Sequence, residues 1–268
     1  MFHRLIIGEP SGVYRRALIG LLLVGSSIGC HRYAAPQGLM THPQIGVTAL
    51  DRAIQGQSHV VARTEIEVAH VLGTEKVNAN LVLRPPGDIR LELLTPTDDF
   101  LTIFVANGKE TRLFQRGAKE CIVQVGCQGE LRGLLPVPID VGDLVSLLLG
   151  GGPRNVTTEL PMVWNESTGT VVLEEGTNQG KMRRVHLDPC SYDMVSAEWW
   201  EKETLSVRAA LGDENTVIFQ VPGEGVEVKM TFLIQVSEMI VEDDAFTFEC
   251  PQGVKEQIYR CNTDGREP

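Results

Sequence analysis

The chain has 268 residues and carries 35 acidic against 24 basic side chains, a formal net charge of −11. Nucleic acids and anionic lipid surfaces attract clustered Lys and Arg, so this balance argues against electrostatic binding to either of them. Apolar residues make up 43% of the sequence, which excludes general disorder. We therefore expect a folded protein with no nucleic-acid partner.

The N-terminal segment has the organisation of a signal peptide. Arg15 and Arg16 form a basic flank, and an apolar run over residues 17–24 follows. This run is shorter than the ~20 apolar residues that a membrane-spanning helix needs, and its length suits the core of a signal peptide. We predict that residues 1–29 are removed and that the mature chain begins at Cys30.

The residues around Cys30 resemble the bacterial lipobox, in which a small residue precedes a cysteine that receives diacylglycerol and then an acyl chain. Gly29 matches that pattern, whereas Ser27 stands where leucine is usual. The resemblance implies lipidation of Cys30 with palmitate-type chains, and each buried methylene contributes ~0.8 kcal/mol to membrane attachment. Because His31 is not aspartate, it also implies the outer membrane, on the periplasmic side. A secretory peptide cut elsewhere, without lipidation, is the alternative.

Five cysteines remain after Cys30, and export to an oxidising compartment favours disulfides. Sequence alone leaves several pairings open, and the odd count leaves one thiol over, for which we expect Cys190. No CxxC pair occurs, so we expect no metal site. Short separations favour two bridges: Cys121–Cys127 and Cys250–Cys261.

The chain after Cys30 divides into a linker, one domain and a short tail. Residues 30–43 contain turn formers and no regular period, which predicts a flexible tether. One folded domain is expected over residues 44–260, and residues 261–268 form the tail. At the start of the domain, apolar positions between Ile45 and Ile54 recur at the spacing of one helix face, so we predict a helix there.

After Gly56, apolar and polar residues mostly alternate, which is typical of antiparallel strands with one buried face. The clearest alternation is Val226–Val236, where we expect every even-numbered residue to share one buried face. A strand of this length suits a strongly curved sheet or a barrel. The predicted strands are 66–70, 77–83, 89–93, 100–105, 110–115, 162–165, 170–174, 181–186, 194–200, 205–210, 216–221 and 226–236.

One helical element interrupts the strands, over residues 138–149. Asp140 and Asp143 lie in its first turn, and three glycines and Pro153 follow its end, as helix electrostatics and capping prefer. Its surface is unusually apolar, which leaves two interpretations: a helix that faces the core, or an apolar lid over a cavity. The lid candidates are Leu144, Leu147 and Leu148.

Five stretches follow one another in a characteristic order. They are the helix after the tether, Val77–Leu94, Phe100–Gly108, the Leu-rich helix after Pro138 and the closing Asp243–Val254. This order resembles the bacterial lipoprotein-carrier superfamily, which includes the outer-membrane lipoprotein-sorting proteins LolA and LolB. The resemblance implies a mainly β fold: an incompletely closed antiparallel β-barrel of about eleven strands, with a few short helices covering its mouth.

Known carriers of the superfamily hold acyl chains inside the barrel. Receptor-type members also expose a leucine on a loop between early strands, whereas the corresponding turn here, Thr95–Asp99, is polar. Binding of a lipid or another hydrophobic ligand does not depend on that leucine. The resemblance therefore implies an apolar cavity lined by inward-facing residues. The candidates are Leu81, Leu91, Leu93, Ile103, Val228, Met230 and Phe232.

Catalytic motifs are missing from the mature sequence. It contains no Gly-x-Ser-x-Gly elbow, no HExxH and no phosphate-binding glycine loop, and His59, His70 and His186 are scattered over strand positions. We therefore expect no enzymatic activity and no cofactor. The leading hypothesis is a lipid-anchored, periplasm-facing protein that binds an acyl chain or a lipoprotein in its barrel. The alternative is a structural or assembly accessory lipoprotein whose packed barrel acts through protein–protein contacts, with a partner that the sequence does not identify.

Overall fold

The computed structural model describes residues 34–39, 41–55, 57, 59–126, 134–154, 156, 161–176, 181–213, 215–236 and 241–260. The predicted signal peptide, Cys30, Cys127 and the tail from Cys261 lie outside the described residues. Lipidation and the domain boundaries therefore stay predictions.

Two α-helices and fourteen strands make up the described fold. The helices are α1 (Pro43–Gln55) and α2 (Val141–Leu148), and a short 3-10 helix spans Asp243–Phe246. The strands are β1 (Val60–His70), β2 (Gly73–Arg84), β3 (Asp88–Leu94), β4 (Phe100–Asn107), β5 (Glu110–Gln115), β6 (Glu120–Val125), β7 (Val163–Asn165), β8 (Thr170–Gly176), β9 (Lys181–Leu187), β10 (Met194–Glu201), β11 (Thr204–Gly212), β12 (Thr216–Val221), β13 (Val226–Val236) and β14 (Lys255–Arg260). Both predicted helices and all the predicted strands are present, whereas β6 and β14 were not predicted.

The strands of the described residues form one sheet, in the order β14-β6-β5-β4-β3-β2-β1-β13-β12-β11-β10-β9-β8-β7. Neighbouring strands are antiparallel except β14 and β6, which run parallel. The sheet has two free edges, at β14 and at β7, and is therefore not closed. The prediction of a mainly β, incompletely closed barrel is confirmed, with fourteen strands in place of about eleven.

Alternate residues of each strand point inward. Most of these inward-facing residues are apolar, so the concave face of the sheet is apolar. In β2, Ala79, Leu81 and Leu83 have no exposed surface. In the antiparallel pairing of β2 with β3, Leu81 lies opposite Leu91, so both side chains point into the same apolar interior. Full burial of a side chain of this size contributes roughly 1.5–3 kcal/mol to folding. These strands therefore supply much of the driving force for the fold.

The long strand β13 departs from its predicted alternation near its end. Val228 and Met230 are fully buried and Phe232 is 9% exposed, but Ile234 and Val236 are 62% and 42% exposed. The cause is a β-bulge: Thr64 of β1 pairs with Phe232, and the preceding residue of β1 pairs with Ile234. One extra residue reverses the faces beyond it. The expectation that all even-numbered residues share one face is therefore wrong for the last two.

Helix α2 lies within the curve of the sheet. All of its residues are buried, and its leucines share one apolar cluster with side chains from β1–β4 and from β8–β13. Asp140 caps the helix by accepting the backbone N–H of Asp143 at 2.8 Å. Because this cluster joins strands from both halves of the sheet, the sheet wraps around α2.

The convex face of β2–β6 is covered by residues 241–254, here called the C-terminal strap. Phe246 of the strap is 1% exposed, and Phe248 stacks against Phe114 of β5 with ring centroids 6.1 Å apart. Arg84 lies over the Phe246 ring at 4.5 Å, and Arg90 donates to the carbonyls of Ala245 and Thr247 at 3.3 Å. A second, smaller apolar layer therefore lies outside the barrel.

The strap ends in a disulfide between Cys121 and Cys250, whose Cα atoms are 6.1 Å apart. The predicted bridges from Cys121 to Cys127 and from Cys250 to Cys261 are therefore wrong. The reason is topological: β14 returns from the far end of the sequence to pair with β6, which brings together cysteines separated by 129 residues. Cys190 is an exposed free thiol, as predicted.

Candidate functional site

Two adjoining cavities lie where the helices meet the sheet. The first has a volume of about 430 Å³ and is here called the apolar cavity. Its walls come from α1, from α2, from the turn between β2 and β3, and from the chain that follows α2. The apolar wall residues are Val47, Leu50, Ile54, Pro85, Pro86, Val145, Leu149, Pro153 and Val156.

Glycines after α2 let the chain approach α1 closely. A Cβ at Gly151 would lie 2.5 Å from Ile54 Cδ1, and one at Gly152 would lie 2.8 Å from Leu50 Cδ1. Ser146 of α2 donates to the Gly152 carbonyl at 2.5 Å and fixes this turn. Leu50, Ile54 and Gly152 also line the apolar cavity, so this close contact forms part of its wall.

The second cavity, here called the polar cavity, has a volume of about 680 Å³. It is lined by the β2–β3 and β4–β5 turns, by the first residues of α2 and by Arg183 of β9. Pro86 and Arg154 line both cavities. The two spaces are therefore neighbours, one apolar and one surrounded by charged side chains.

Asp143 organises the wall between the polar cavity and the sheet. It is 2% exposed, and its Oδ1 accepts the backbone N–H of Arg154 at 2.7 Å. Its Oδ2 accepts from Trp199 Nε1 at 3.1 Å and lies 3.5 Å from Arg183 Nη1. Arg183 also binds Glu175, with a 2.8 Å hydrogen bond from its Nε. This network connects α2 to β8, β9 and β10.

The environment of Asp143 changes its acidity. Burial, and after it the neighbouring Asp140 carboxylate, raise the pKa of Asp143 from its ordinary value of 3.8 to about 6. The Arg154 amide, Arg183 and Trp199 favour the ionised form and limit the rise in the pKa. Asp143 is therefore mainly ionised at pH 7 and is protonated in mildly acidic solution.

Six of the seven residues predicted to line a cavity occupy the interior of the barrel. Leu81, Leu91, Val228 and Met230 have no exposed surface, and Phe232 and the half-buried Leu93 pack in the same cluster. None of the seven lines the apolar or the polar cavity. Ile103 does not share their face, because Leu91 pairs with its neighbour Phe104, and Ile103 pairs with Phe114 on the convex side.

The predicted lid leucines also lie in the core. Leu144, Leu147 and Leu148 are 1%, 0% and 7% exposed, and all three belong to the central cluster. Val145 of α2 and Leu149, the residue that caps its C-terminus, line the apolar cavity. The leucines of α2 thus face the core. The side of the helix that carries Val145 forms one wall of the apolar cavity.

His186 has its polar contacts on the opposite face of the sheet. Its Nδ1 lies 3.1 Å from Thr170 Oγ1, and its Nε2 lies 3.7 Å from a carboxylate oxygen of Glu198. The nearby His186 side chain lowers the pKa of Glu198. His186 is 5% exposed and lines neither cavity. The arrangement is that of a buried polar cluster that joins β8, β9 and β10.

Sequence reasoning missed most of the cavity walls. The apolar face of α1 was recognised, and it supplies Leu50 and Ile54, whereas Val47 of the same helix was not predicted. Pro85, Pro86 and Arg154 were not predicted as site residues. No local pattern distinguishes these positions, because the cavities depend on contacts between distant segments.

None of the helices in the described residues is long and apolar enough to cross a membrane. No protein-family model matches the sequence, and no curated protein sequence matches it. The fold, however, is similar to several solved bacterial structures.

Three of these structures show the likeness over most of the chain. A putative outer membrane lipoprotein-sorting protein domain from Vibrio parahaemolyticus aligns with a TM-score of 0.55 and 13% identity, over 76% of this chain and 97% of its own. A LolA superfamily protein from Nitrosomonas europaea aligns with a TM-score of 0.55 and 11% identity, over 78% of this chain and 98% of its own. A DUF1329 family protein from Desulfovibrio piger aligns with a TM-score of 0.56 and 9% identity, over 78% of this chain and 98% of its own. The chain has a LolA/LolB-like fold.

Proposed function

We propose that this protein binds an acyl chain, free or carried by a lipoprotein, in the apolar cavity between α1 and α2. It does so without catalysis, while a lipid on Cys30 holds it at the outer membrane on the periplasmic side. Similarity to a lipoprotein-sorting domain and to a LolA superfamily protein supports this proposal at the level of the fold. The residues of the apolar cavity supply the more specific argument.

The apolar cavity is the observation that carries the proposal. Its volume of about 430 Å³ falls within the range of small-molecule sites, roughly 300–1,000 Å³. Aliphatic side chains and prolines dominate its walls, and Asp51 is the acidic residue among them. An unbranched hydrocarbon gains free energy by leaving water for such a surface, at roughly 25 cal/mol per Å² buried.

The packed interior determines where the chain can lie. The side chains of Leu81, Leu91 and Met230 have no exposed surface, so they already fill the centre of the barrel together with α2. We therefore place the ligand between the two helices and the Pro85-Pro86 turn. This differs from a ligand deep inside the barrel, which the sequence had suggested.

Titration of delipidated protein with a fluorescent fatty acid tests the proposal. Val47 of α1 is half-buried and lines the apolar cavity, so Val47→Trp should fill that space and weaken binding about tenfold or more. Thr48 is exposed on the same helix, and Thr48→Trp is the matched control that should leave binding unchanged. Absence of binding by the wild type, or equal binding by both variants, would contradict the proposal.

A second candidate function is that of an assembly accessory acting through protein contacts. Two groups of exposed apolar side chains favour it: Val71 and Leu72 at the β1–β2 turn, and the end of β13 from Leu233. If the wild type binds no fatty acid while Leu72→Ser or Leu233→Ser releases a co-purifying protein, this second function is the correct one.

A further inference from the structure

Arg154 lies at the boundary between the two cavities. It is exposed, and it lines both the apolar and the polar space. Among the described residues, its guanidinium has no carboxylate within ion-pair distance, in contrast to Arg84, Arg112 and Arg183. A cation in this position is available to a ligand that spans both cavities.

The backbone of Arg154 is held on both sides. Its N–H donates to the buried Asp143 at 2.7 Å, and its carbonyl accepts from Arg183 Nη1 at 2.8 Å. Arg183 is itself fixed by Glu175. The backbone position from which the Arg154 side chain extends is therefore fixed by a largely buried network.

The carboxylates around the polar cavity are already engaged. Asp88 binds Arg84 at 2.7 Å, and Glu110 binds Arg112 at 2.8 Å. Asp143 is held by Trp199 and Arg183, and Asp140 caps α2. These carboxylates already have partners. Among the described residues that line the polar cavity, Arg154 is therefore the cation without a carboxylate partner.

Two glycines leave room for the Arg154 side chain. A Cβ at Gly142 would lie 2.8 Å from Arg154 Cδ and would clash with Nη1, and a Cβ at Gly87 would lie 3.2 Å from Nη1. A side chain at position 142 would therefore displace the guanidinium. Gly142 is inside helix α2, where alanine is the better helix former.

We propose that the polar cavity binds the anionic headgroup of an amphiphile, through Arg154, while the acyl chain of the same molecule occupies the apolar cavity. The headgroup class is a phosphate or a carboxylate, because a guanidinium binds both through paired N–H donors. This inference rests on the proposed function and extends it from a hydrocarbon chain to a charged lipid.

Two lipids that differ only in a phosphate test the inference. Lauroyl lysophosphatidic acid and lauroyl glycerol share the chain and the glycerol, and glycerol 3-phosphate lacks the chain. Binding to the delipidated wild-type protein is measured by isothermal titration calorimetry at pH 7. We expect the lysophosphatidic acid to bind about tenfold or more tightly than lauroyl glycerol, and glycerol 3-phosphate to bind far more weakly than either.

Two variants should remove this preference without removing the chain site. Arg154→Gln deletes the cation, and Gly142→Ala displaces it while keeping its charge. Each should still bind lauroyl glycerol, which also shows that it is folded, and its affinity for lysophosphatidic acid should fall about tenfold relative to its affinity for lauroyl glycerol. Arg116→Gln, in the turn after β5 at the far end of β4–β6, is the matched control and should change neither affinity.

The outcomes separate the two proposals. Equal affinity of the wild type for both lipids overturns the headgroup site and leaves the acyl-chain site standing. Failure of both lipids to bind overturns the proposed function itself. If glycerol 3-phosphate binds as tightly as the lysolipid and depends on Arg154, the cavity holds a soluble phosphate, and the amphiphile assignment is wrong.

Discussion

The two faces of the sheet are covered in different ways. Inside, α2 is buried on all sides among aliphatic side chains, with Asp143 as its polar connection to the strands. Outside, the C-terminal strap is held by arginine contacts, by the buried Phe246 and by a disulfide. Helix α2, the inner cover, is therefore held by packing. Its imperfect fit with α1 leaves the apolar cavity. The strap, the outer cover, depends on a cross-link and on side-chain contacts, and it closes the convex face of β2–β6.

The largest effect on the outer cover should come from the disulfide. Cys121 and Cys250 are 129 residues apart, and closing a loop of that order stabilises by about 4–5 kcal/mol in the chain-entropy model. We expect the Cys121→Ser/Cys250→Ser variant to lose about 3–5 kcal/mol in urea unfolding. Its strap should also become accessible to protease. Cys190→Ser, a change at the exposed free thiol, is the control; equal stability of all three proteins would show that the cross-link does not hold the strap.

The inner cover should be most sensitive at Leu147, which has no exposed surface. Leu147→Ala removes packing around α2 and should cost about 2–5 kcal/mol of unfolding free energy. Leu233→Ala, at an exposed position of β13, should change it by less than about 0.5 kcal/mol. A small effect at Leu147 would mean that α2 is not the centre of the core.

Asp143, the polar connection of α2 to the strands, should make the stability of the protein depend on pH. The pKa of Asp143 is raised to about 6, so the folded state binds the proton more tightly than the unfolded state does. The contribution of Asp143 to stability therefore increases as the pH falls from above 6 to below 4, by roughly up to 3 kcal/mol. Other carboxylates titrate in wild type and in Asp143→Asn alike, so the difference between the two proteins isolates this residue. A difference that is constant between pH 4 and pH 7 would contradict the raised pKa.

The smallest effect should come from the ion pair at the start of the strap. Arg84 binds Asp243 at 2.5 Å, but the Asp243 side chain is 92% exposed. Exposed pairs contribute about 0–1 kcal/mol, so Asp243→Asn should lower the free energy of unfolding by less than about 1 kcal/mol. Its effect should also decrease in high salt. A loss comparable to that of the disulfide variant would mean that ion pairs, rather than the cross-link, hold the outer cover.

Patterns within one segment allowed much of the fold to be predicted. The strands from β1 to β5 and from β7 to β13 were visible because one buried face imposes a period of two, and α2 because its termini carry caps. Strand β14 was missed because it is an exposed edge strand in which apolar and polar residues do not alternate. Strand β6 was missed because its cysteine suggested a local loop.

Features that depend on distant segments could not be predicted. The disulfide between Cys121 and Cys250 follows from the return of β14 to β6, which no local spacing indicates. The bulge at the end of β13 is set by its pairing with β1, so the sequence of β13 alone gave the wrong face for Ile234. The candidate site combines α1, α2, a turn and Arg154, and of these only the helices had a recognisable pattern.

Photo-crosslinking of a bound acyl chain tests the central claim most directly. A fatty acid with a terminal diazirine is bound to the delipidated protein and irradiated, and the modified peptides are mapped by mass spectrometry. We expect the label on residues 43–55, on the Pro85-Pro86 turn and on residues 141–156, with loss of labelling in Val47→Trp. Labelling of the barrel interior at β2 and β3, or of the exposed end of β13, would contradict a ligand held between the two helices.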